Sequence, residues 1–120
     1  MTTTARTMGL SIEAFKRIYG ASGEIRYEFS DGETLVGVAS VSTTEDFYFL
    51  HIITVMPEER RKGYGSLILQ AICSKFNDKP IRLELDGSSL MGLDKLRFWY
   101  ECHGFTYLGG EQMMMHNRLT

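Results

Sequence analysis

Residues 55–69, V-M-P-E-E-R-R-K-G-Y-G-S-L-I-L, decide the fold of this chain. An apolar run ends at Val55, a basic and glycine-rich loop follows, and a helical pattern of apolar residues begins just after Gly63. This order predicts a strand, an anion-binding loop, and a helix whose first N–H groups point back at the loop. Because the N-terminus of a helix carries unpaired donors and a partial positive charge, a phosphate group can bind there.

The composition of the loop suits a small anion. Gly63 and Gly65 have no side chain that would block a phosphate, and glycine tolerates backbone angles that other residues avoid. Three cationic side chains lie at the same rim. The candidate binding residues of the loop are Arg60, Arg61, Lys62, Gly63, Tyr64, Gly65 and Ser66. Their spacing is neither that of a Walker loop nor that of a dinucleotide-binding Gly-x-Gly-x-x-Gly turn.

Two segments of the chain resemble the same known family. Arg60-x-x-Gly63-x-Gly65 is similar to the Arg/Gln-x-x-Gly-x-Gly/Ala loop with which the GCN5-related N-acetyltransferases, the GNAT family, hold the pyrophosphate of acetyl-CoA. Residues 100–105, Y-E-C-H-G-F, are similar to the Tyr-Glu-x-x-Gly-Phe segment of that family. The two segments occur in the family's order, with a strand pattern between them, which makes the resemblance specific.

Length and composition limit the class of protein. A chain of 120 residues has the size of one domain, so we expect a single N-acetyltransferase-like domain over residues 1–120, with residues 1–10 poorly ordered. Hydrophobic residues make up 43% and charged residues 23% of the chain, as in soluble globular proteins. The formal net charge of -2 argues against a broad nucleic-acid-binding surface, and the basic cluster at 60–62 is local enough for a small anion.

No segment of the sequence indicates a membrane or a metal. The apolar runs fall short of the roughly 20 residues of a membrane span, and residues 1–6 lack the apolar core of a signal peptide. The two cysteines, Cys73 and Cys102, provide neither a disulfide framework nor a zinc site. We therefore expect a cytoplasmic protein with no metal, no membrane partner and no nucleic-acid partner.

The rest of the chain predicts a mixed α/β domain. A helix capped by Ser11 is expected over residues 12–19, where apolar residues recur at helical spacing. Strands are expected at 24–29, 34–41, 47–55, 81–86, 105–108 and 113–118, and further helices at 64–76 and from about 93 to 103. The strand at 47–55 is apolar at nearly every position, which predicts a central strand buried on both faces. The strand at 81–86 should run parallel to it, because a helix joins the two.

The resemblance implies an acyl-CoA N-acyltransferase (GNAT-like) fold: a mixed, mostly antiparallel sheet with a central parallel pair and flanking helices. The family usually opens with a strand and two helices before its first long hairpin. Here residues 1–22 leave room for about one helix and a short piece of strand. Because that region walls the acceptor side in the family, the shortened N-terminus leaves two alternatives: an open acceptor site, or one completed by a partner chain, as in a homodimer.

The resemblance also implies how acetyl-CoA, the acyl donor, is held. The loop from Arg60 to Ser66 would bind the pyrophosphate. Backbone groups of Ile53 and Val55 would pair with the pantetheine arm like an added strand, and an N–H there would polarise the thioester carbonyl.

Tyr100 occupies the position of the tyrosine that the family places near the CoA sulfur, so the resemblance implies that it is the general acid. A phenol with an ordinary pKa of ~10 is protonated at neutral pH and can donate to a thiolate. The alternative is a core tyrosine, because Leu93, Leu96 and Tyr100 share one helix face. Leu93 also stands where the family often has a CoA-contacting asparagine; Ser88 or Ser89 would have to substitute for it.

His51 interrupts the apolar strand four residues before Val55. An imidazole with an ordinary pKa of ~6.5 can accept a proton from an ammonium group at neutral pH. The position is similar to that of a strand histidine used as a base by arylalkylamine N-acetyltransferases. The alternative is a hydrogen-bonded core histidine. Glu84 and Asp86 share one strand face, where they would either attract a cationic amine or form a solvated strand edge.

The resemblance implies an acetyl-CoA-dependent N-acetyltransferase that transfers an acetyl group from the CoA thioester to a primary amine, directly and in a ternary complex. The acceptor would be a small-molecule or peptide amine. A second function stays open: an acyl-CoA-binding regulatory or interaction module with the same fold and no turnover. The short N-terminus and Leu93 motivate this alternative.

Overall fold

The computed structural model describes residues 4–7, 10–16, 24–86 and 91–115. The strands are β1 (Thr4–Thr7), β2 (Leu10–Lys16), β3 (Ile25–Asp31), β4 (Thr34–Thr43), β5 (Tyr48–Val55), β6 (Ile81–Glu84), β7 (Thr106–Gly109) and β8 (Gln112–Met115). The helices are α1 (Tyr64–Lys75) and α2 (Leu93–Cys102), with a 3-10 turn at Pro57–Glu59. Within the described residues the eight strands form one sheet, in the order β1-β2-β3-β4-β5-β6-β8-β7.

The sheet is mostly antiparallel around one parallel pair. Neighbouring strands are antiparallel except β5 and β6, which run parallel from Tyr48 opposite Ile81 to Leu50 opposite Leu83. Helix α1 joins these two strands, because parallel neighbours need a long crossover connection. The predicted fold class, a mixed sheet with a central parallel pair and flanking helices, is confirmed.

Strand β2 replaces the helix that the sequence predicted over residues 12–19. It pairs with β3 over six residue pairs, with Ile12 opposite Phe29, and Leu10 and Ile12 are buried. The alternation of apolar and polar residues at the start of β2 fits a strand as well as a helix, and the open edge of β3 decides between them by supplying backbone hydrogen bonds. The helix prediction is therefore wrong for β2, and its remaining residues, 17–19, lie outside the described part of the chain. Strand β1 falls within the first ten residues, for which the sequence predicted little order.

Strand β5 is central, as predicted, but it is not buried on both faces. Leu50 is 2% exposed, whereas Ile52 is 49% exposed and His51 also lies at the surface. The pairing of β5 with β6 ends at Leu50. At the same place the register with β4 shifts by one residue, so that His51 is an extra, bulged residue. The apolar run of β5 thus lies in two surroundings, the core up to Leu50 and an open edge beyond it.

The bulge sets which residues of β5 face helix α1. Beyond it, Ile53 lies opposite Ala39 and Val55 lies opposite Gly37. Gly37 is directly beneath α1, because a Cβ added to it would stand 2.5 Å from Cδ1 of Ile68. Since side chains alternate between the two faces of a sheet, Ile53 and Val55 point towards α1 and their neighbours point away.

The core lies between the sheet and α1. Its most deeply buried large side chains are Leu10, Phe29, Val36, Val41, Leu50, Ile68, Leu69, Ile72, Ile81, Leu83 and Met113. Helix α2 joins this core through Tyr100, which belongs to the same cluster of buried residues. Burial of a Leu, Ile or Phe side chain stabilises a fold by about 1.5–3 kcal/mol, so this cluster dominates the packing between the layers.

The C-terminal elements follow the prediction. Helix α2 ends at Cys102, and Gly104 takes a left-handed φ of 93° just beyond it. Strands β7 and β8 form the expected antiparallel pair, joined through Gly109 and Gly110 at φ values of 104° and 59°. Residues 116–118 of the predicted last strand lie outside the described part of the chain.

Candidate active site

A cleft opens where β5 leaves β6. Beyond Leu50, only β4 among the described strands pairs with β5, so the other edge of β5 borders the cleft. The cleft has two lobes, of about 470 Å³ and about 550 Å³, which share the walls Ile53, Val55, Arg60, Met91, Leu96 and Tyr100. We call the first the strand lobe; it is also bounded by His51, Glu84 and Asp86. The second is the loop lobe; it is also bounded by Arg61, Gly63, Tyr64, Gly65, Ser66 and Trp99.

The backbone of β5 presents particular groups to the cleft. The N–H of Met56 donates to the carbonyl of Val36 on the β4 side, at 2.9 Å. Because successive residues of a strand alternate in direction, Thr54 also faces β4, and the backbone groups of Ile53 and Val55 face away from it. Consistently, the carbonyl of Val55 accepts a hydrogen bond from Nε of Arg60 at 3.3 Å. Ile53 and Val55 therefore offer backbone groups to the cleft.

The loop before α1 presents backbone donors at the loop lobe. Gly63 is the N-cap residue of α1, with a left-handed φ of 82°, and no side chain caps the first N–H groups of the helix. Arg61 has a left-handed φ of 66°, which is rare for a residue other than glycine. A loop in which left-handed residues alternate with residues of other conformations turns successive N–H groups towards one side, where an anion can bind.

The basic side chains of the loop differ in their partners. Nζ of Lys62 donates to Glu59 at 2.9 Å, so its charge is paired, whereas Arg60 is held at the edge of β5 by its bond to Val55. Arg61 is exposed and makes no side-chain hydrogen bond or ion pair with any residue that the structure describes. Arg61 is therefore the cation of this loop that can contact an anion without breaking another bond.

Helix α2 closes the other side of the loop lobe. A Cβ added to Gly65 would lie 3.6 Å from the Trp99 ring and 3.8 Å from Val55, and Nε1 of Trp99 donates to Oγ of Ser66 at 3.4 Å. Tyr64 anchors the helix start to the β3–β4 turn, because its hydroxyl donates to Asp31 at 2.8 Å. That hydrogen bond is the main cause that raises the pKa of Tyr64.

Tyr100 lies where the two lobes meet. Its side chain is 8% exposed, and its ring packs edge-on against Phe105 and Trp99, at centroid distances of 5.3 Å and 4.9 Å. Burial, with a smaller contribution from Cys73, raises the pKa of Tyr100 to about 12. Burial also raises the pKa of the Cys73 thiol to about 11, so this thiol is a poor nucleophile at neutral pH.

His51 borders the strand lobe and is held by two partners. Its Nε2 lies 2.6 Å from Oγ of Ser42 on β4, and its Nδ1 lies 3.4 Å from Oε1 of Glu24, the residue before β3. The ring also packs against Phe49, at a centroid distance of 4.9 Å. With 32% of its side chain exposed, His51 is hydrogen-bonded but does not belong to the core.

Comparison with known protein families gives one decisive match. Residues 24–107 match the acetyltransferase (GNAT) domain. This chain belongs to the GNAT family. Comparison of the sequence with curated proteins gives no match.

Solved structures with a similar fold include other GNAT proteins. A GNAT-family protein from Bacteroides thetaiotaomicron has 22% identity and a TM-score of 0.63, over 80% of this chain and 63% of that one. The ribosomal-protein-S18-alanine N-acetyltransferase from Escherichia coli has 17% identity and a TM-score of 0.65, over 85% and 74%. YhhK from E. coli, solved bound to coenzyme A, has 16% identity and a TM-score of 0.66, over 88% and 98%. The present chain thus spans less than two thirds of the Bacteroides protein, and at these identities the likeness is one of fold.

The structure of this GNAT chain brings together most of the residues predicted to bind the donor. The cleft is bordered by Ile53, Val55, Arg60, Arg61, Gly63, Tyr64, Gly65, Ser66 and Tyr100. Lys62 is part of the same loop but is paired with Glu59. Leu93 is 39% exposed and borders neither lobe. Ser88 and Ser89, its suggested substitutes, lie outside the described residues.

Three residues near the cleft were missed or misread in the sequence. Glu24 and Ser42 contact His51 from the two neighbouring segments of the sheet, and no local pattern in the sequence marks such a contact. Trp99 also borders the loop lobe, and its position next to Tyr100 on a helix and close to the motif was a usable signal.

None of the helices in the described segments is long and apolar enough to cross a membrane. In the same segments, no three His, Cys, Asp or Glu side chains come close enough together to hold a metal ion.

Proposed function

We propose that this chain is an acetyl-CoA-dependent N-acetyltransferase, a single domain that transfers an acetyl group directly to a primary amine of a small molecule or peptide in a ternary complex. One observation carries the proposal. The uncapped start of α1, the free edge of β5 and the phenol of Tyr100 converge on one cleft. The three would supply a binding site for phosphates, a strand edge with free backbone groups for the pantetheine arm, and a proton donor for the leaving thiolate. Transfer from a CoA thioester requires all three.

The residues of the loop lobe fit the phosphates of acetyl-CoA. The uncapped N–H groups of α1 and the side chain of Arg61 supply donors and positive charge. A side chain at Gly65 would project towards Trp99 and Val55 and would narrow the lobe between them. Arg60 would have to release the Val55 carbonyl in order to join the phosphate site.

The free edge of β5 fits the pantetheine arm. Its amide groups would add to Ile53 and Val55 as a further strand adds to a sheet edge. An N–H donor at this edge would stabilise the negative charge that develops on the thioester oxygen when the amine attacks. Because the donor is fixed by the sheet, little reorganisation is needed in the transition state.

Tyr100 would protonate the leaving group. The amine nitrogen attacks the carbonyl carbon, the C–S bond breaks, and the thiolate takes the phenolic proton. The nitrogen of the new amide loses one proton to solvent, and the phenolate regains one from solvent. The raised pKa of Tyr100 keeps the phenol protonated over the physiological range. The same apolar surroundings penalise the thiolate, so its basicity rises together with that of the phenolate.

His51 would act on the acceptor side. It borders the strand lobe together with Glu84 and Asp86, whereas the donor residues border the loop lobe. As a base, His51 would take a proton from the ammonium form of the acceptor and leave a neutral amine that can attack. Replacing His51 with alanine should then lower turnover more than donor binding.

The first experiment tests donor binding. Trp99, the one tryptophan of the chain, borders the loop lobe, so its fluorescence should report acetyl-CoA binding. The variant Gly63→Asp places a carboxylate among the phosphate-binding N–H groups and should weaken binding at least about tenfold, the loss of one charge-assisted contact. The matched control is Gly110→Asp, since Gly110 is also left-handed, with no atom within 4 Å of an added Cβ.

The second experiment tests transfer. Wild-type protein with saturating acetyl-CoA and a panel of primary amines should release CoA above the rate of hydrolysis. Equal donor binding by wild type and Gly63→Asp would place the donor elsewhere. Donor binding without amine-dependent release of CoA would contradict the transferase proposal.

Two observations favour a second function, that of an acyl-CoA-binding regulatory module without turnover. Strands β1 and β2 stand where GNAT proteins usually have helices on the acceptor side, and the pKa of Tyr100 near 12 makes it a weaker acid. This function predicts donor binding that Tyr100→Phe leaves unchanged and no amine that accelerates CoA release.

A further inference from the structure

The loop lobe of the cleft attracts anions. It is bordered by the uncapped N-terminus of α1 and by the side chain of Arg61. Its one carboxylate among the described residues, Glu59, is paired with Lys62 at 2.9 Å. A substrate that carries phosphates is therefore drawn to this lobe rather than to the strand lobe.

The strand lobe carries the opposite charge. It is bordered by the carboxylates of Glu84 and Asp86, and its one arginine or lysine among the described residues is Arg60. Arg60 is bonded to the carbonyl of Val55 on the wall that the two lobes share. Away from that wall the lobe is acidic, and a cleft bordered by charges of one sign concentrates ligands of the other sign.

Glu84 presents a carboxylate that no cation of the described chain neutralises by an ion pair. Gln112 donates to it at 3.2 Å, and a carboxylate can accept further hydrogen bonds. The one cation of β6, Arg82, lies over the Phe47 ring at 5.2 Å and borders neither lobe. His51 borders the strand lobe, but both of its ring nitrogens have partners of their own. Glu84 can therefore bind a cation that enters the lobe.

Between the acidic residues and Tyr100, the strand lobe is apolar. Leu50 and Leu83, which are 2% and 1% exposed, border its inner end, where β5 and β6 still pair. Ile53 and Leu96 also border it. A hydrocarbon chain gains free energy against such walls, whereas a polar chain would lose hydrogen bonds to water. The lobe thus suits a ligand with an apolar middle and a cationic end.

The strand lobe is open through the sheet. Ile53 and Tyr100 border it from the side of α1 and α2, and Leu83 is buried in the core on that side. Because side chains alternate along a strand, Glu84 and Ile52 border it from the other face, where Ile52 is 49% exposed. An amine that enters from this face passes Glu84 and reaches the edge of β5 beside Tyr100, where the thioester is proposed to lie.

We propose that the acceptor is an aliphatic diamine, with one nitrogen at the thioester and the second, still charged, held by Glu84. The inference rests on the proposed N-acetyltransferase function. Alkylamines are ammonium ions at neutral pH, since the pKa of a lysine side chain is ~10.4. The C–N bond forms as the C–S bond breaks, and in the net reaction the first ammonium loses two protons, one to the sulfur and one to solvent. The second nitrogen keeps its protons and its charge, and Asp86 adds to the negative potential around it.

The kinetic test compares acceptors of equal length. Putrescine and n-pentylamine differ in one terminal group, an ammonium against a methyl, and cadaverine and n-hexylamine form a second such pair. With saturating acetyl-CoA, kcat/KM for each diamine should exceed that for its monoamine about tenfold to a hundredfold, the effect of one hydrogen bond between charged groups. γ-Aminobutyrate, which ends in a carboxylate, should be slower than either monoamine. Equal rates for diamine and monoamine in both pairs overturn the inference.

A charge-removing variant tests the role of Glu84. Glu84→Gln keeps the shape of the side chain and should reduce the preference for each diamine to within about threefold. The matched control is Glu45→Gln, which makes the same change in the loop between β4 and β5, where the side chain is exposed and borders neither lobe. This control should keep the wild-type preference. A preference that Glu84→Gln retains in full overturns the inference.

Calorimetry separates the diamine inference from the proposed function. Putrescine should bind the CoA-bound wild type at least about tenfold more tightly than CoA-bound Glu84→Gln, by the same loss of one charged contact. If putrescine binds through Glu84 but no amine is acetylated, the transferase function fails and the diamine is a ligand rather than an acceptor. If amines are acetylated but neither rates nor binding distinguish putrescine from n-pentylamine, the diamine inference fails alone.

Discussion

At the scale of single residues, the surroundings of Tyr100 decide its chemistry. We predict that Tyr100→Phe lowers kcat about tenfold to a hundredfold, because the thiolate then leaves without a proton donor. Acetyl-CoA binding should change less than about twofold, since the ring and its contacts with Phe105 and Trp99 persist. Steady-state kinetics and Trp99 fluorescence measure the two effects. A variant that loses binding and turnover together would mean that the hydroxyl holds the donor instead.

The raised pKa of Tyr100 gives the pH dependence a definite sign. The phenol keeps its proton up to about pH 12 in the folded protein, against about 10 when unfolded. Its contribution to stability is therefore fully present below pH 10 and is lost as the pH rises towards 12. For the same reason, ionisation of Tyr100 should not lower kcat between pH 8 and 10. The pH profiles of wild type and Tyr100→Phe should therefore have the same shape over this range. Such a loss near pH 10 would show that the cleft solvates this phenol.

At the scale of elements, the local sequence pattern predicted most of the helices and strands. It failed where contacts with other segments of the chain decide the structure. The loop, α1 and the end of α2 were predicted because glycines and helical spacing act within a few residues. Strand β2 was missed because its alternation also fits a helix, and only the neighbouring edge of β3 selects the strand. The contacts of His51 with Ser42 and Glu24 were missed because they join side chains from three separate segments of the chain, whose relative placement no single segment encodes.

The contact between β4 and α1 leads to a prediction about Gly37. A Cβ at this position would stand 2.5 Å from Cδ1 of Ile68 and 2.7 Å from the backbone oxygen of Thr54. Since the oxygen belongs to the neighbouring strand, Gly37→Ala must displace β5 or α1, and we expect a loss of about 1–3 kcal/mol in the free energy of unfolding. Chemical denaturation measures this loss.

Gly65→Ala is the control for Gly37→Ala. The nearest atoms to its added Cβ lie 3.6 Å away, an ordinary contact, and alanine favours a helix over glycine by about 1 kcal/mol. Its free energy of unfolding should be unchanged or higher. Equal destabilisation by the two substitutions would contradict the close packing of β4 against α1.

At the scale of the whole molecule, the cleft exists because the sheet consists of two antiparallel runs of strands that are joined by one short parallel pairing. Strands β1 to β5 form one antiparallel run, and β6, β8 and β7 form another. Among the residues that the structure describes, the two runs are connected within the sheet only by the three residue pairs from Tyr48 to Leu50 with β6. Beyond these pairs the sheet divides, and α1 and α2 cover the division on one side. The proposed donor site is therefore a gap in backbone pairing that an extended ligand can fill.

This architecture predicts which amides a donor protects from hydrogen exchange. Ile53 and Val55 face the gap, whereas Thr54 between them faces β4. Acetyl-CoA at 100 times its Kd should stabilise the protein by about 2.7 kcal/mol, and it should slow exchange at Ile53 and Val55 well beyond any change at Thr54. The variant Gly63→Asp should show neither effect at the same concentration. Uniform slowing of all three amides would mean that the donor stabilises the fold from another place, because only pairing along the free edge can distinguish alternate residues of β5.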